Sequence, residues 1–407
     1  MPIRRYLTLS IQISVIIPSR NKFPQNLLTL FSLENQTLPP YQYEVILIDD
    51  ASSDATSTIP ELWKFPFRLR LLRLQANLGR PAARNAGIRM AKGKILIFLD
   101  AEILVEPGFL ESHLLLHQQD NRLLASGVLT MKGAYTQLDP GFNEVQLQEA
   151  YTLLKPQPAF HPAYEKFIKT GQGQLLLGRE DIKKGVYRQL AVQKVHEALY
   201  EDEILQRHGD RLQGFHLPWL ISHTGNLSVA RTAFQQHGYF EEYSGYGWDD
   251  LEFGYRLFRQ GYRFAHIRYP FTYHQEHPVS PSVGNEAHTN FYLFQQKYRQ
   301  ISLLVLLLLY IPSPMSFHQV NLVLDEIYRL DAESVGLYLP LIGVMRSMLE
   351  AAGYLLRFGQ PISHLLTHAG LPPDSVKRAD FEAQRSALAA SGRWSMLGEA
   401  LNRLLAL

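Results

Sequence analysis

Acidic side chains stand directly after two apolar, strand-like runs in the first hundred residues of the sequence. Asp49 and Asp50 follow one run, and Asp100 and Glu102 follow the other. Ligands of an open α/β sheet bind at the carboxyl ends of its strands. Carboxylates crowded there repel one another unless a cation lies among them. The pattern therefore indicates a hard divalent metal and a ligand that carries phosphate.

Other common nucleotide-binding and hydrolytic patterns are missing from the sequence. The turn after the first predicted strand reads Ser19-Arg20-Asn21-Lys22 and has no glycine, so it does not form a dinucleotide fingerprint. There is no Walker sequence and no serine nucleophile elbow. A Gly-rich loop of the kind that sugar nucleotidyltransferases need after the first strand is likewise lacking, which argues against that alternative.

Alternating strand and helix patterns must position these acids. Predicted helices separate the strands, and the next clear helix is Asp249 to Gln260, with acids at its start. This alternation predicts an α/β fold with a doubly wound, mostly parallel sheet. The predicted strands cover residues 13–17, 44–48, 69–74, 95–99, 123–129, 220–229 (with a turn) and 262–267.

Two regions depart from that rhythm. Residues 131 to about 215 are polar and mostly helical in pattern, which predicts an insertion, and from residue 301 to 407 the chain reads as an all-helical extension of a domain that covers 1–300. The run Leu303 to Ile311 is too short for a bilayer span, which needs roughly 20 apolar residues. We expect a buried helix there, with a peripheral membrane contact as the alternative.

Composition sets broad bounds. The 407 residues are 46% hydrophobic and 19% charged, which is typical of a globular protein with a large core. The formal net charge of +2 gives no reason to expect a nucleic-acid partner. The absence of cysteine excludes disulfides and thiolate metal sites and suits a reducing compartment. We expect a cytoplasmic location, either free or at the inner face of the membrane.

Taken together, the motifs resemble the family 2 glycosyltransferases of the GT-A type. The resemblance covers residues 11 to about 300, and the order and spacing of the motifs carry it. The acidic motif within Gly247 to Leu257, and His274 downstream of it, are similar to those of chondroitin-polymerase-like and galactosyltransferase-like members. The segments that carry it are Ile16-Ile17-Pro18, Val45 to Asp54, Asn77 to Gly87, Phe98 to Glu102, Gly247 to Leu257 and Tyr273 to Glu276.

The resemblance implies a nucleotide-sugar site and a metal. Asp50 would receive the base edge of a UDP-sugar, with Asp49 supporting the turn, and Arg80 would neutralise the diphosphate with Arg84 as a helper. Asp100 would bind the donor ribose or sugar and belong to the metal shell. The remaining donor-side residues would be Pro18 and Ser19 in the base pocket and Asn226 near the donor sugar, and the direct ligands of Mn²⁺ or Mg²⁺ would be Glu102 and His274, with His277 as a competing ligand.

The resemblance also implies the chemistry. Asp250 would act as the base for an acceptor hydroxyl, and Asp249 would hydrogen-bond the acceptor. Apart from the resemblance, an aromatic cluster precedes these acids and sugar rings stack on aromatic faces, so we expect Trp248 to contact the acceptor. The reaction would be an inverting sugar transfer to a glycan or glycolipid in polysaccharide biosynthesis, and the insertion and the tail would encode acceptor choice. The sequence departs from the pattern at Glu102, where an Asp is usual, and at Asp249, where a Glu is common. The alternative is a binding module that has lost turnover and acts as partner of another transferase.

Overall fold

The computed structural model describes residues 10–278, 283–371 and 376–407. Strands and helices alternate up to residue 275, and beyond residue 283 the described secondary structure is helical. The strands are β1 (Ile13–Ser19), β2 (Tyr43–Asp49), β3 (Arg68–Arg73), β4 (Ile95–Leu99), β5 (Ile103–Val105), β6 (Leu123–Ser126), β7 (Lys132–Ala134), β8 (Gln137–Leu138), β9 (Gln174–Leu175), β10 (Ala191–Val192), β11 (Asn226–Ala230), β12 (Arg263–His266) and β13 (Thr272–Gln275). The helices are α1 (Gln25–Leu33), α2 (Ile59–Leu62), α3 (Arg80–Met90), α4 (Phe109–Gln119), α5 (Glu144–Leu154), α6 (His161–Thr170), α7 (Arg179–Lys184), α8 (Val195–Tyr200), α9 (Gln206–His208), α10 (Arg231–His237), α11 (Asp249–Arg259), α12 (Val283–Tyr298), α13 (Ile301–Leu304), α14 (Phe317–Glu333), α15 (Leu339–Arg357), α16 (Leu365–His368), α17 (Val376–Ser391) and α18 (Ser395–Leu405).

A seven-stranded sheet forms the centre, in the order β12-β6-β11-β4-β1-β2-β3. β1 pairs in parallel with β2 and β4, and only β11 runs antiparallel to its neighbours within this sheet. Every side chain of β1, β2 and β4 is buried, because α1 and α4 cover one face of the sheet while α3 and α11 cover the other. The predicted α/β fold with a mostly parallel, doubly wound sheet is confirmed.

The register of the central strands aligns their acidic ends. Ser19 at the end of β1 lies opposite Asp49 at the end of β2, and Leu99 at the end of β4 lies opposite Asn226 at the start of β11. The residues that follow these strands therefore emerge at one edge of the sheet.

A second sheet, in the order β10-β7-β13-β5, was not predicted and brings the downstream histidine to this edge. β13 pairs antiparallel with β5, which places His274 opposite Ile103. The backbone N–H of Gln275 donates to the carbonyl oxygen of Glu102 at 2.8 Å. His274 is thus adjacent to Glu102 because of strand pairing between distant parts of the chain.

Three predicted segments differ from the structure. The strand expected over 123–129 ends at Ser126 and is followed by a 3₁₀ turn. The strand expected from Leu220 begins only at Asn226, because Pro218 starts a 3₁₀ turn and has no N–H for a ladder. The insertion at 131–215 contains α5 to α9, as expected, but also the short strands β7 to β10.

The all-helical region shares its apolar core with the sheet. One continuous cluster of buried side chains runs from Ile16 and Phe98 in the sheet to Leu401 in α18. The run from Leu303 to Leu308 has side chains that are at most 1% exposed. This part of the run is core, as predicted for a buried helix, whereas Leu309 is partly exposed and Tyr310 is 38% exposed. The peripheral membrane contact stays a prediction. The domain division at residue 300 stays a prediction.

One helix among the described residues, α15, is long and apolar enough to cross a membrane by length and composition alone. Of its apolar window, 44% is buried inside the protein, and residues such as Met345 and Leu349 are fully buried. A core helix gives the same signal, so this feature does not distinguish a membrane protein from any other. The location in the cell stays a prediction.

The close packing of α3 on the sheet depends on Gly87, and its replacement by alanine should destabilise the fold. A Cβ at position 87 would lie 2.6 Å from Cγ2 of Ile16 and 2.8 Å from Cδ1 of Ile48. We expect Gly87→Ala to lower the free energy of unfolding by about 1 to 3 kcal/mol. The matched control is Gly343→Ala in α15, where a Cβ would meet nothing within 4 Å and where alanine should stabilise by about 0.5 to 1 kcal/mol. Urea denaturation measures both; equal effects of the two variants would contradict this account.

Candidate active site

A cavity of about 860 Å³ opens at the edge of the sheet where β1, β2 and β4 end. Its size lies within the range of small-molecule sites. Of the residues given a role from the sequence, Asp49 and Asn226 do not line it and the others do. Those on the wall are Pro18, Ser19, Asp50, Arg80, Arg84, Asp100, Glu102, Trp248, Asp249, Asp250, His274 and His277.

Asp50 holds the loop that leads into α3. Its two carboxylate oxygens accept the backbone N–H groups of Leu78 at 2.8 Å and Gly79 at 3.0 Å. Gly79 needs the left-handed conformation, with φ of 87°, which glycine adopts without strain. Asp49 accepts the N–H of Ser52 at 2.8 Å and so shapes the adjoining turn. The paired acids therefore build the two loops that form this end of the cavity.

Arg84 links the strand-end acid to the helix-start acid. One of its terminal nitrogens lies 2.8 Å from Oδ2 of Asp249 and the other 3.2 Å from Oδ1 of Asp100. Arg84 is 2% exposed. Burial opposes its charge, but the attraction of Asp249 and Asp100 outweighs this and raises its pKa. The Arg84 guanidinium is engaged by two carboxylates and also lines the cavity, and its expected help in binding phosphate stays a prediction.

The acid pair Asp249 and Asp250 occupies the first turn of α11, where the helix dipole favours negative charge. Burial raises the pKa of Asp249 to about 6, against the attraction of Arg84 and with a further contribution from the Asp250 carboxylate. Burial also disfavours ionisation of Asp250, but His223 and Arg84 outweigh it and lower its pKa. Both acids are therefore mostly ionised at neutral pH, and Asp249 is the first of the two to take up a proton as the pH falls.

Asp250 is held in one orientation by three hydrogen bonds. Its Oδ2 accepts the backbone N–H of Thr224 at 3.1 Å and the hydroxyl of the same residue at 3.2 Å. Its Oδ1 accepts the N–H of Leu251 at 2.8 Å. A carboxylate oxygen has two lone-pair sites, so Oδ1 keeps one for a further donor.

Glu102, His274 and His277 form the cluster that could hold a metal ion. One ligand atom from each lies within 4.8 Å of the others. Nε2 of His277 is 3.4 Å and Nε2 of His274 is 4.0 Å from Oε1 of Glu102. Lys22 also approaches this oxygen, at 2.9 Å. Burial opposes ionisation of Glu102, but the hydrogen bond from His277 and the charge of Lys22 hold its pKa below the usual range.

Asp100 is not part of this cluster, and its expected place in the metal shell stays a prediction. The described groups that come together are Glu102 and the two histidines, while Asp100 directs Oδ1 to Arg84. His277 was expected as a competitor of His274 for the metal. In the structure both rings lie beside Glu102, with centroids 5.1 Å apart, so the two histidines could bind the same ion together. The longer side chain of Glu102 suits such a site beyond the end of β4.

Asn226 is the predicted site residue that the structure does not bring to the cavity. It is 1% exposed, its Oδ1 lies 3.1 Å from Nε2 of His113, and its Nδ2 lies 3.3 Å from the hydroxyl of Thr272. These buried partners bind the side chain between α4 and β13. Its neighbours His223, Thr224 and Gly225 line the cavity instead.

Arg80 differs from Arg84 in being available to a ligand. Its guanidinium lies 4.3 Å from the ring centroid of Tyr246, on the cavity wall, and no ion pair to it is found within the described residues. Sequence reasoning missed Tyr246 as its partner, and it missed Lys22 and His223 as wall residues. The only signal for Lys22 was its place in the polar turn after β1.

The sequence of this chain is similar to those of known glycosyltransferases. Residues 14–169 match the model of the family described as "Glycosyl transferase family 2". The uncharacterized glycosyltransferase YfnE of Bacillus subtilis is 30% identical over 290 residues, which are 71% of this chain and 71% of that protein. Validoxylamine A glucosyltransferase of Streptomyces hygroscopicus subsp. limoneus is 28% identical over 61% of this chain and 48% of its own length, and chondroitin synthase of Escherichia coli is 26% identical over 68% of this chain and 36% of its own length. This chain therefore spans about half or less of those two proteins.

Two solved structures have folds that align with this one. The S. aureus TarS 1-349 structure in complex with UDP-GlcNAc has a TM-score of 0.46 at 16% identity and covers 86% of this chain and 92% of its own. The mannosyltransferase PcManGT from Pyrobaculum calidifontis, in complex with GDP-Man and Mn²⁺, has a TM-score of 0.43 at 16% identity and covers 97% of this chain and 85% of its own.

Removal of the buried Arg84 charge should lower the stability of the fold far more than removal of the nearby Arg80 charge. Arg84→Gln leaves Asp100 and Asp249 without their shared cation, which should lower the free energy of unfolding by about 3 to 5 kcal/mol. Arg80→Gln loses only a ring contact, worth about 1 kcal/mol or less. Chemical denaturation at pH 7.5 compares them, and similar losses in the two variants would contradict the bridging role.

Proposed function

The chain belongs to glycosyl transferase family 2, and we propose that it moves a sugar from a nucleotide diphosphate donor, preferably a UDP-sugar, to a hydroxyl with inversion at the anomeric carbon. One observation carries this proposal. Asp50, Glu102, Asp250 and His274 come from distant stretches of the chain and line one cavity at the carboxyl ends of the strands. This is where α/β sheets bind nucleotides.

The donor would lie across the strand ends. The loops shaped by Asp50 would receive the base beside Pro18 and Ser19, all of which line the cavity. The Arg80 guanidinium would neutralise the diphosphate, because it lies on the wall and is not engaged by a carboxylate within the described residues. A guanidinium matches phosphate oxygens in both charge and geometry.

Glu102, His274 and His277 fit a divalent metal. Their ligand atoms converge within 4.8 Å, and one carboxylate with two imidazoles suits Mn²⁺, whereas Mg²⁺ prefers oxygen ligands. We therefore propose Mn²⁺ as the preferred ion. When bound, such an ion stabilises the negative charge of the departing diphosphate. The Lys22 ammonium, 2.9 Å from Glu102, adds positive charge at the same point.

Asp250 would act as the general base. The acceptor oxygen forms the new bond to the anomeric carbon as the bond from that carbon to the diphosphate breaks, and the hydroxyl proton passes to Asp250. Attack on the face opposite the leaving group inverts the anomeric centre, as in inverting glycosidases with a sugar hydroxyl in place of water. The three hydrogen bonds from Thr224 and Leu251 fix the Asp250 carboxylate for this transfer.

Asp249 would then serve mainly to position the acid motif. Its ion pair with Arg84 ties the start of α11 to the end of β4, and so sets the distance between the acceptor base and the donor. The acceptor would be a glycan or glycolipid, with polysaccharide biosynthesis as the expected context.

The role of Asp250 predicts that Asp250→Asn removes transfer and spares donor binding. General base catalysis is worth about 10² to 10⁴ in rate, so kcat should fall by that factor. Transfer from a panel of UDP-sugars is measured by UDP release with Mn²⁺ present, and donor binding by calorimetry. The matched control is Asp331→Asn on the exposed side of α14, which should behave like the unchanged protein. Turnover of Asp250→Asn within a factor of about three of the control would refute the assignment.

The metal site predicts that His277 contributes as much to ion binding as His274. Titration of Mn²⁺ followed by electron paramagnetic resonance should show affinity lowered at least about tenfold in Glu102→Gln, His274→Ala and His277→Ala, because even indirect partners of a ligand matter on that scale. His368→Ala, an exposed position in α16, is the control. An unchanged affinity in His277→Ala would leave Glu102 and His274 as the ligands.

A further inference from the structure

Besides the charged groups at the strand ends, the cavity wall contains a set of uncharged, largely apolar side chains. We call this the apolar annex. The side chains that define it come from the insertion and the helical tail, the two parts of the chain that were predicted to encode acceptor choice. They are Tyr200, Ile204, Leu306, Leu309, Tyr310 and Phe317.

The apolar annex is held in shape by a polar clamp between those two parts. Oε2 of Glu203 accepts the backbone N–H of Phe317 at 2.6 Å, at the start of α14. Glu203 lies in a π-helix over Glu201–Leu205, a local geometry that is frequent at functional sites. The rings of Tyr200 and Phe317 lie 5.6 Å apart. The clamp therefore fixes one aromatic ring from the insertion against one from the tail.

A row of aromatic rings joins the apolar annex to the acid motif. Trp248, the residue before Asp249, stacks on Phe291 with centroids 3.9 Å apart and planes at 8°. Phe291 in turn contacts Tyr310 at 5.7 Å. One face of Trp248 is thus occupied by Phe291, and the ring forms the beginning of the apolar wall beside the acids.

We infer that the acceptor is an amphipathic glycoside, whose reacting sugar lies at Asp250 and whose hydrocarbon or aryl aglycone fills the apolar annex. This inference rests on the proposed function and names its acceptor class. A second sugar placed against Leu306 and Leu309 would bury hydroxyl groups without partners, which is unfavourable, whereas a hydrocarbon chain loses only contact with water. Continuity with the acid motif sets the apolar annex on the acceptor side.

The experiment compares acceptors that differ only in aglycone length. Methyl, butyl, hexyl and octyl glycosides of glucose, galactose and N-acetylglucosamine are offered below their micelle concentrations to the full chain with Mn²⁺ and a panel of UDP-sugars. Each methylene that enters an apolar site is worth about fourfold in affinity. We expect KM to fall by about that factor per methylene until the annex is filled, with a much smaller change in kcat.

Variants locate the effect. Leu309→Ser, in the annex wall, should flatten the dependence of KM on chain length, while Leu337→Ser, at a position 61% exposed and outside the cavity wall, should keep it. Free oligosaccharides used with lower KM than the octyl glycosides, or a KM independent of chain length, would overturn the inference and leave the transferase proposal intact. Failure to release UDP from any donor with any acceptor would overturn the transferase proposal itself and the inference with it.

Discussion

A single buried guanidinium between two carboxylates sets the geometry of the whole site. Arg84 and Asp249 are 165 positions apart in the sequence, and their ion pair fastens the start of α11 to α3 and, through Asp100, to the end of β4. Asp249 is buried and Asp100 is partly exposed, and without a cation between them the buried carboxylate would be left unpaired at high cost, so the arrangement depends on a charged Arg84. The donor side and the acceptor side of the cavity are held at a fixed separation by this contact.

Much of the framework could be predicted from local sequence. The strands β1, β2 and β4 are mostly apolar runs, and the acids Asp49 and Asp100 mark the ends of β2 and β4, although β1 continues through Pro18 to Ser19. The start of α11 follows from its acids and its apolar periodicity. The acids at the strand ends were found because parallel strands bring their carboxyl ends to one edge. These features depend on residues that are neighbours in the chain, which is why a sequence displays them.

The remaining features depend on contacts between distant segments. The pairing of β5 with β13 places His274 and His277 beside Glu102, but two strands of three and four residues give little signal of their own. Asn226 was singled out from its turn, yet its partners His113 and Thr272 lie on other elements and draw it into the interior. Arg84 and Arg80 have the same side chain and nearly the same place in the sequence, and only packing decides that one is structural.

The apolar core that runs without interruption from Ile16 to Leu401 has a consequence for how this enzyme could diversify. The first 300 residues are not an independent folding unit, because cutting the chain near residue 300 would remove the tail's share of this core and expose the apolar side chains that the tail helices cover. New specificities are therefore easier to reach by changing side chains on the cavity wall than by exchanging whole modules. Recombination between relatives would succeed only where both halves of that core are inherited together.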